Sequence, residues 1–236
     1  MRLAGSELPQ PTRVANTTDP EICGRIQTLE DILVSSQNRG IRNVIVVLKN
    51  VPAAKIPARP PGRLTLDNRE CKFVPHVSVL TVGSAIQAVN RDPTLHNAHF
   101  YGAINANLAL AFKGVKRTTK VEQPGMVIVK CDVHGWMQAF IRVESHPFQA
   151  VTDENGSFRI PDIPAGAYDL EIWHEKLGAL EKTVSIESTK TEIIHVEYAL
   201  NNRSSLLQGG LKYCFASLAM TFDFLDRPAS PKRLFS

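Results

Sequence analysis

"GMVIVKCDVHGWMQAFIRVES", residues 125–145, is the stretch that decides the fold. "GMVIVKCDV" and "MQAFIRVES" read as a strand and a return strand, dense in Val, Ile and Phe and joined by a tight turn. The turn carries Cys131, His134 and Met137, so one thiolate, one imidazole and one thioether fall within seven positions. Taken singly, Cys131 reads as a small buried hydrophobe and Met137 as core packing. Their joint spacing is what points to a metal. A loop this short lets three side chains converge at the tip of two adjacent strands.

Outward from this hairpin the chain reads as all-β. "CKFVPHVSVLTVG", "AIQAVN" and "LHNAHFYG" are short strands closed by Gly83 and by the turn "NRDP". "NVIVVLKNV" (43–51) is a Val/Ile run that ends in the Pro-rich stretch "PAAKIPARPPG", which reads as a linker. Beyond residue 148, "FQAVT" and "SFRI" flank the turn "DENG". "AYDLEIW" follows the turn "PAG", and "LEKTVSIES" and "EIIHVEYAL" add further strands. Turns recur about every ten residues, as in a β-sandwich. "RIQTLEDILVSS" (25–36) carries a weak helical signal. Residues 201–236 read as a loosely attached flexible tail with one short helix near Phe215–Leu225.

Composition narrows the function classes. The 236 residues are 43% hydrophobic and 21% charged, which suits a packed globular chain. A net charge of +4 with interspersed signs gives no basic stripe for nucleic acid. No apolar run approaches a membrane span, and the N-terminus shows no apolar leader segment. The four cysteines, Cys23, Cys71, Cys131 and Cys214, form no C-x2-C pair, which argues against a structural zinc site.

The donor types fit copper. Two imidazoles, a thiolate and a weak thioether suit a mononuclear ion that alternates between Cu(I) and Cu(II). The missing imidazole has its best candidate in His96, in "DPTLHNAHF". A zinc set of Cys71, His76, Cys131 and His134 is a rival, but it leaves Met137 and the "HN" pair unexplained. A binuclear copper site needs a second cysteine in the loop, and positions 132–136 hold none.

These motifs resemble the cupredoxins, small blue copper proteins of the plastocyanin and amicyanin type. "FVPHVSVLTVGSAIQAVNRDPTLHNAHF" is similar to the family's F-x-P, strand, Gly, strand, Asn and "HN" pattern, and "PGMVIVKCDVHGWMQAFIRV" to its closing pattern. The C-x2-H-x2-M spacing is that of amicyanin. The resemblance covers residues 62–145 and implies a Greek-key β-sandwich. It implies one copper per chain on His96, Cys131, His134 and Met137. Asn97 would tie the two ligand loops together. His76 and His99 are possible accessory residues, each more suited to hydrogen bonding than to ligation.

"AVTDENGSFRIPDIPAGAYDLEIWHEKLG" resembles the carboxypeptidase regulatory-like domain, a transthyretin-like β-sandwich. With "GIRNVIVVLKNV" it suggests a discontinuous domain of residues 1–57 and 148–199, with the cupredoxin-like part inserted. The overall order resembles periplasmic plastocyanin-like proteins often labelled methylamine utilisation proteins. If Cys131 holds copper it stays a free thiolate, and Cys23 and Cys71 are then expected to pair. Such a disulfide, with the resemblance, implies a periplasmic or extracellular location. The expected function is single-electron transfer, not enzymatic turnover. The partner would be a redox protein (a cytochrome or dehydrogenase), met at a shallow copper through the outer edge of His134 and Trp136. Copper delivery or storage, and a structural role without redox chemistry, are the alternatives.

Overall fold

The computed structural model describes residues 1–199 apart from Ser6 and Thr189. The expected tail over 201–236, its helix and Cys214 lie outside the described residues. The described chain is nearly all β. In order it forms β1 (Arg2–Leu3), β2 (Arg13–Ala15), the helical turn α1 (Pro20–Cys23), β3 (Ile26–Thr28) and β4 (Ile45–Lys49). There follow β5 (Arg63–Arg69), β6 (Lys72–Val74), β7 (Val77–Thr81), β8 (Ala85–Asn90), β9 (His96–Gly102) and β10 (Ala106–Leu110). The rest are β11 (Lys116–Lys120), β12 (Gly125–Lys130), β13 (Gln138–Glu144), β14 (Gln149–Val151), β15 (Gly166–His174), β16 (Gly178–Ile186) and β17 (Glu197–Tyr198).

Three sheets stack in layers. The central one has the order β10-β9-β12-β13-β7, with β13 and β7 parallel and the other pairs antiparallel. A four-stranded sheet β11-β8-β5-β6 covers one of its faces, and the chain passes repeatedly between the two. Alternation along the strands builds this sandwich. Ala139, Ile141 and Val143 of β13 and Val127 and Val129 of β12 meet Leu66, Phe73 and Ile86 in one buried core.

The other face of the central sheet is also buried, which explains why β12 and the middle of β13 carry apolar residues on both faces. Met126, Ile128 and Phe140 pack there against Ile45, Val47, Val151 and Trp173. These belong to a third sheet, β14-β4-β15-β16. β4 pairs with both β14 and β15. Its run "IVVL" faces two cores: Ile45 and Val47 point to the central sheet, while Val46 and Leu48 point to a core with Phe148, Leu170 and Ile172. Polar groups cross the same boundary. Arg142 on β13 donates to Glu171 on β15 through both terminal nitrogens, at 2.8 and 3.2 Å, and through Nε to Glu144 at 2.7 Å.

Two expected elements are absent. "RIQTLEDILVSS" forms no helix; Ile26–Thr28 is instead β3, paired with β2. "SFRI" forms no strand: Asp153 accepts the amides of Asn155 and Ser157, so the "DENG" stretch closes as a compact turn. That turn lies against the chain at Gly40, where a Cβ would sit 2.0 Å from the Asn155 carbonyl oxygen. Any side chain at residue 40 would push the turn away.

Candidate metal centre

His96 opens β9, Cys131 follows the last residue of β12, and His134 lies in the loop before β13. The loop is short because β12 and β13 remain paired up to Lys130 and Gln138. Its closure is local: the Cys131 amide donates to the Met137 carbonyl at 3.3 Å, and the Met137 amide to the His134 carbonyl at 2.9 Å. Asn97 ties the loop to β9. Its Oδ1 accepts the Asp132 amide at 2.7 Å, and its Nδ2 donates to the Asp132 carboxylate at 2.7 Å.

These constraints bring three donors together. The Cys131 Sγ lies 3.9 Å from His96 Nδ1 and 3.7 Å from His134 Nδ1. The two imidazole rings are tilted to one another with centroids 4.7 Å apart. All three residues are buried, and the ligand atoms lie within 4.8 Å of one another. A nitrogen at about 2.0 Å and a sulfur at about 2.3 Å from one ion stand about 3.5–3.9 Å apart for angles between tetrahedral and slightly wider than trigonal. The set is therefore spaced to share one metal ion. Cys131 is the free cysteine among the described residues. Burial holds both histidines below their ordinary basicity, which favours the neutral imidazole that a metal ligand must be. Met137, also expected as a ligand, is buried in the same core as Cys131.

Both imidazoles are fixed from behind by carboxylates, a pattern that orients metal-binding histidines. Asp92 lies 3.0 Å from His96 Nε2, and Asp19 lies 3.2 Å from His134 Nε2. Asp92 is held by the β5–β6 turn. Glu70 and Cys71 there both have positive φ, 55° and 54°, without being glycine. This is the geometry of a two-residue hairpin turn that normally takes Asn-Gly. Asp92 compensates by accepting both turn amides, from Glu70 at 2.8 Å and from Cys71 at 2.9 Å.

Asp19 belongs to a lid. It precedes α1 but makes no capping bond from its side chain. That carboxylate instead accepts the Thr94 hydroxyl at 2.5 Å and faces His134, and the Thr94 bond leads in drawing its pKa down. Cys23, at the end of α1, is joined by a disulfide to Cys71. Trp136 packs on His134 with ring centroids 5.1 Å apart and donates its Nε1–H to the Cys71 carbonyl at 3.0 Å.

The lid corrects one expectation. His134 does not present its edge to solvent: it is 0% exposed, and the Asp19 carboxylate covers its outer nitrogen. Trp136 is half-buried within that cover. Nor does either accessory histidine join the cluster. His76 bonds the Gln138 carbonyl through Nδ1 and Glu175 through Nε2, at the boundary with the third sheet. His99 faces outward to Asp132 at 3.0 Å and stacks on Tyr101. The alternative zinc set is not assembled, because Cys71 is in the disulfide and His76 is bound elsewhere. Asp19 and Asp92 complete the site without belonging to the motif that marks its ligands. Asp92 had a faint signal, an acidic residue four positions before His96 in a turn; Asp19 had none.

Residues 119–193, less than half of the chain, match the family model described as "Polysaccharide lyase family 4, domain II". The "TDENGSF" region thus matches a different family from the carboxypeptidase regulatory-like domain it resembles, and that reading is corrected. Among solved structures, a copper-containing nitrite reductase from Thermus scotoductus SA-01 is similar over 40% of this chain, with 22% identity and a TM-score of 0.32. This chain spans 27% of that reductase. A reduced amicyanin variant is similar over 38% of this chain and 96% of its own, with 24% identity and a TM-score of 0.32. No curated protein sequence matches this chain.

Proposed function

We propose that the chain is a mononuclear copper protein of cupredoxin type that carries single electrons. One observation carries the reading: the Nδ1 edges of two buried histidines face one buried free thiol at 3.7–3.9 Å. A His2Cys set suits copper better than the harder divalent ions, and Met137, in the same core, is the thioether this reading adds. Copper, when bound, supplies a Cu(I)/Cu(II) couple. The protein's part is to hold the donors still. Asn97 fixes the loop, Asp92 and Asp19 fix the rings, and the core around Cys131 and Met137 excludes water. Little rearrangement is then needed when the charge on the site changes. The cupredoxin-like unit of this reading is residues 62–145, inserted between the segments that supply β4 and β14–β16. The pairing of β4 with β14 and β15 supports that organisation. The Cys23–Cys71 disulfide supports a periplasmic or extracellular setting. The partner in this reading is a redox protein, and the chain is a carrier, not an enzyme.

Copper holding for storage or delivery is the second reading, favoured by the complete burial of both histidines under the lid. Voltammetry of the copper-loaded protein, followed by competition with a Cu(I) chelator, separates the two. Reversible one-electron cycling with copper retained supports the carrier. Irreversible cycling, or ready release of Cu(I) to the chelator, supports delivery.

A further inference from the structure

The lid places a second set of donors on the far edges of the same two imidazoles. For His96, the Asp92 carboxylate lies 3.0 Å from Nε2, and Cys71 Sγ, an Asp92 oxygen and a His96 nitrogen all fall within 4.8 Å of one another. For His134, Cys23 Sγ lies 3.6 Å and Asp19 Oδ2 3.2 Å from Nε2. Each ring thus has Cys131 on its Nδ1 side and a carboxylate at its Nε2, with Cys23 Sγ also at the Nε2 of His134 and Cys71 Sγ within 4.8 Å of the Asp92 and His96 donors. All of the sulfurs are buried. In the oxidised chain Cys23 and Cys71 are bonded to each other and offer no thiolate.

We propose that Cys71, Cys23, Asp92 and the Nε2 of His96 form a second metal site, for a thiophilic divalent ion such as Zn2+, that exists only when the Cys23–Cys71 disulfide is reduced. Thiolate, imidazole and carboxylate are the donors such an ion takes in four-coordinate sites. The donors of Cys71, Asp92 and His96 already lie within 4.8 Å of one another, and Cys23, bonded to Cys71 in the oxidised chain, is the fourth that reduction frees to join them. Reduction needs two electrons and two protons, which a dithiol supplies. One of its thiolates attacks a protein sulfur, its second thiol releases the mixed disulfide, two protein thiols form, and the reductant closes to its own disulfide. Metal binding then displaces the thiol protons to solvent. A neutral imidazole offers one lone pair. An ion on Nε2 of His96 therefore takes that ring from the inner set.

The test uses the full chain carrying Cys131→Ser and Cys214→Ser, so that Cys23 and Cys71 are the remaining cysteines of the four. The protein is reduced with dithiothreitol, desalted without oxygen and titrated with Co2+, whose thiolate charge-transfer absorption reports sulfur ligation. One Co2+ per reduced chain with that band, displaced by Zn2+, is the expected result, and the oxidised chain shows no band. Adding Asp92→Asn weakens binding at least 10-fold. A further variant, Cys23→Ser in the same background, cannot form the disulfide and is expected to bind Co2+ through Cys71 without reductant, with a weaker band. Absence of the band in both proteins contradicts the proposal, as does a band that Asp92→Asn leaves unchanged, or a reduced chain whose β circular dichroism collapses. The outcome is independent of the copper reading, because the thiol that reading needs is absent from these proteins.

Discussion

The Nε2 of His134 lies 3.2 Å from the carboxylate of Asp19, a residue 115 positions earlier in the chain. Asp19 orients the ring and closes its outer edge. Asp19→Ala removes both effects. Loss of such an orienting carboxylate weakens metal binding about 10–100-fold. Competition between the Cu(I)-loaded variant and a chelator measures this, and release from the variant is also expected to be faster.

Asn97 bridges β9 and the loop with one accepted and one donated bond to Asp132, and a further bond from Nδ2 to Asn107. Asn97→Ala leaves the Asp132 amide without its partner. A lost hydrogen-bond partner in a partly buried site costs about 1–3 kcal/mol. Urea denaturation of the metal-free variant is expected to show a loss of that size, together with weaker copper binding.

Arg142 and Glu171 hold the central and third sheets together, with Glu144 and Lys49 completing the network. Both partners are largely buried, with side-chain exposures of 12% and 18%. Arg142→Ala leaves Glu144 and Glu171 with only the longer Lys49 contacts, at 3.9 and 3.5 Å. The cost is about 2–4 kcal/mol, toward the lower end for a buried pair broken from one side. Because the loss is partly the stranding of charge, Arg142→Ala combined with Glu171→Gln is expected to recover part of it in chemical denaturation.

His174 ends β15 almost fully buried, and burial lowers its pKa to about 4, with His76 and Lys176 pushing the same way. The unfolded chain, with a histidine pKa near 6.5, therefore binds the proton that the folded chain refuses. The stability is fully present above about pH 6.5 and is lost as pH falls toward 4. The loss amounts to about 2–3 kcal/mol. His96, His134 and His146 are shifted in the same direction and steepen the loss in the metal-free protein. Denaturation at pH 7 and pH 5 measures the slope, and His174→Gln is expected to reduce it.

Much of this was legible because it is local. β12 and β13 are written as two apolar runs around a seven-residue loop, and Cys131, His134 and Met137 sit within that loop. β4 was legible from its Val/Ile density, since a strand buried on both faces needs no polar alternation. Of the lid, the expected Cys23–Cys71 pairing is present, but its place over the metal centre was not legible. Asp19 and Cys23 lie in a short polar stretch without periodicity, and their contacts are made by residues from about 50 to 115 positions away. The weak helical spacing over 25–36 was overridden by pairing of Ile26–Thr28 with Arg13–Ala15. The turn at Glu70 and Cys71 carries neither Asn nor Gly. Its support comes from Asp92, which no local pattern connects to it.

The most direct test of the central claim is titration of the purified, disulfide-intact protein with Cu(II), read in the visible spectrum. The account predicts an intense thiolate-to-copper band that saturates at one copper per chain, bleaches reversibly with reductant and is absent from Cys131→Ser. No band, or one that persists in Cys131→Ser, would contradict it.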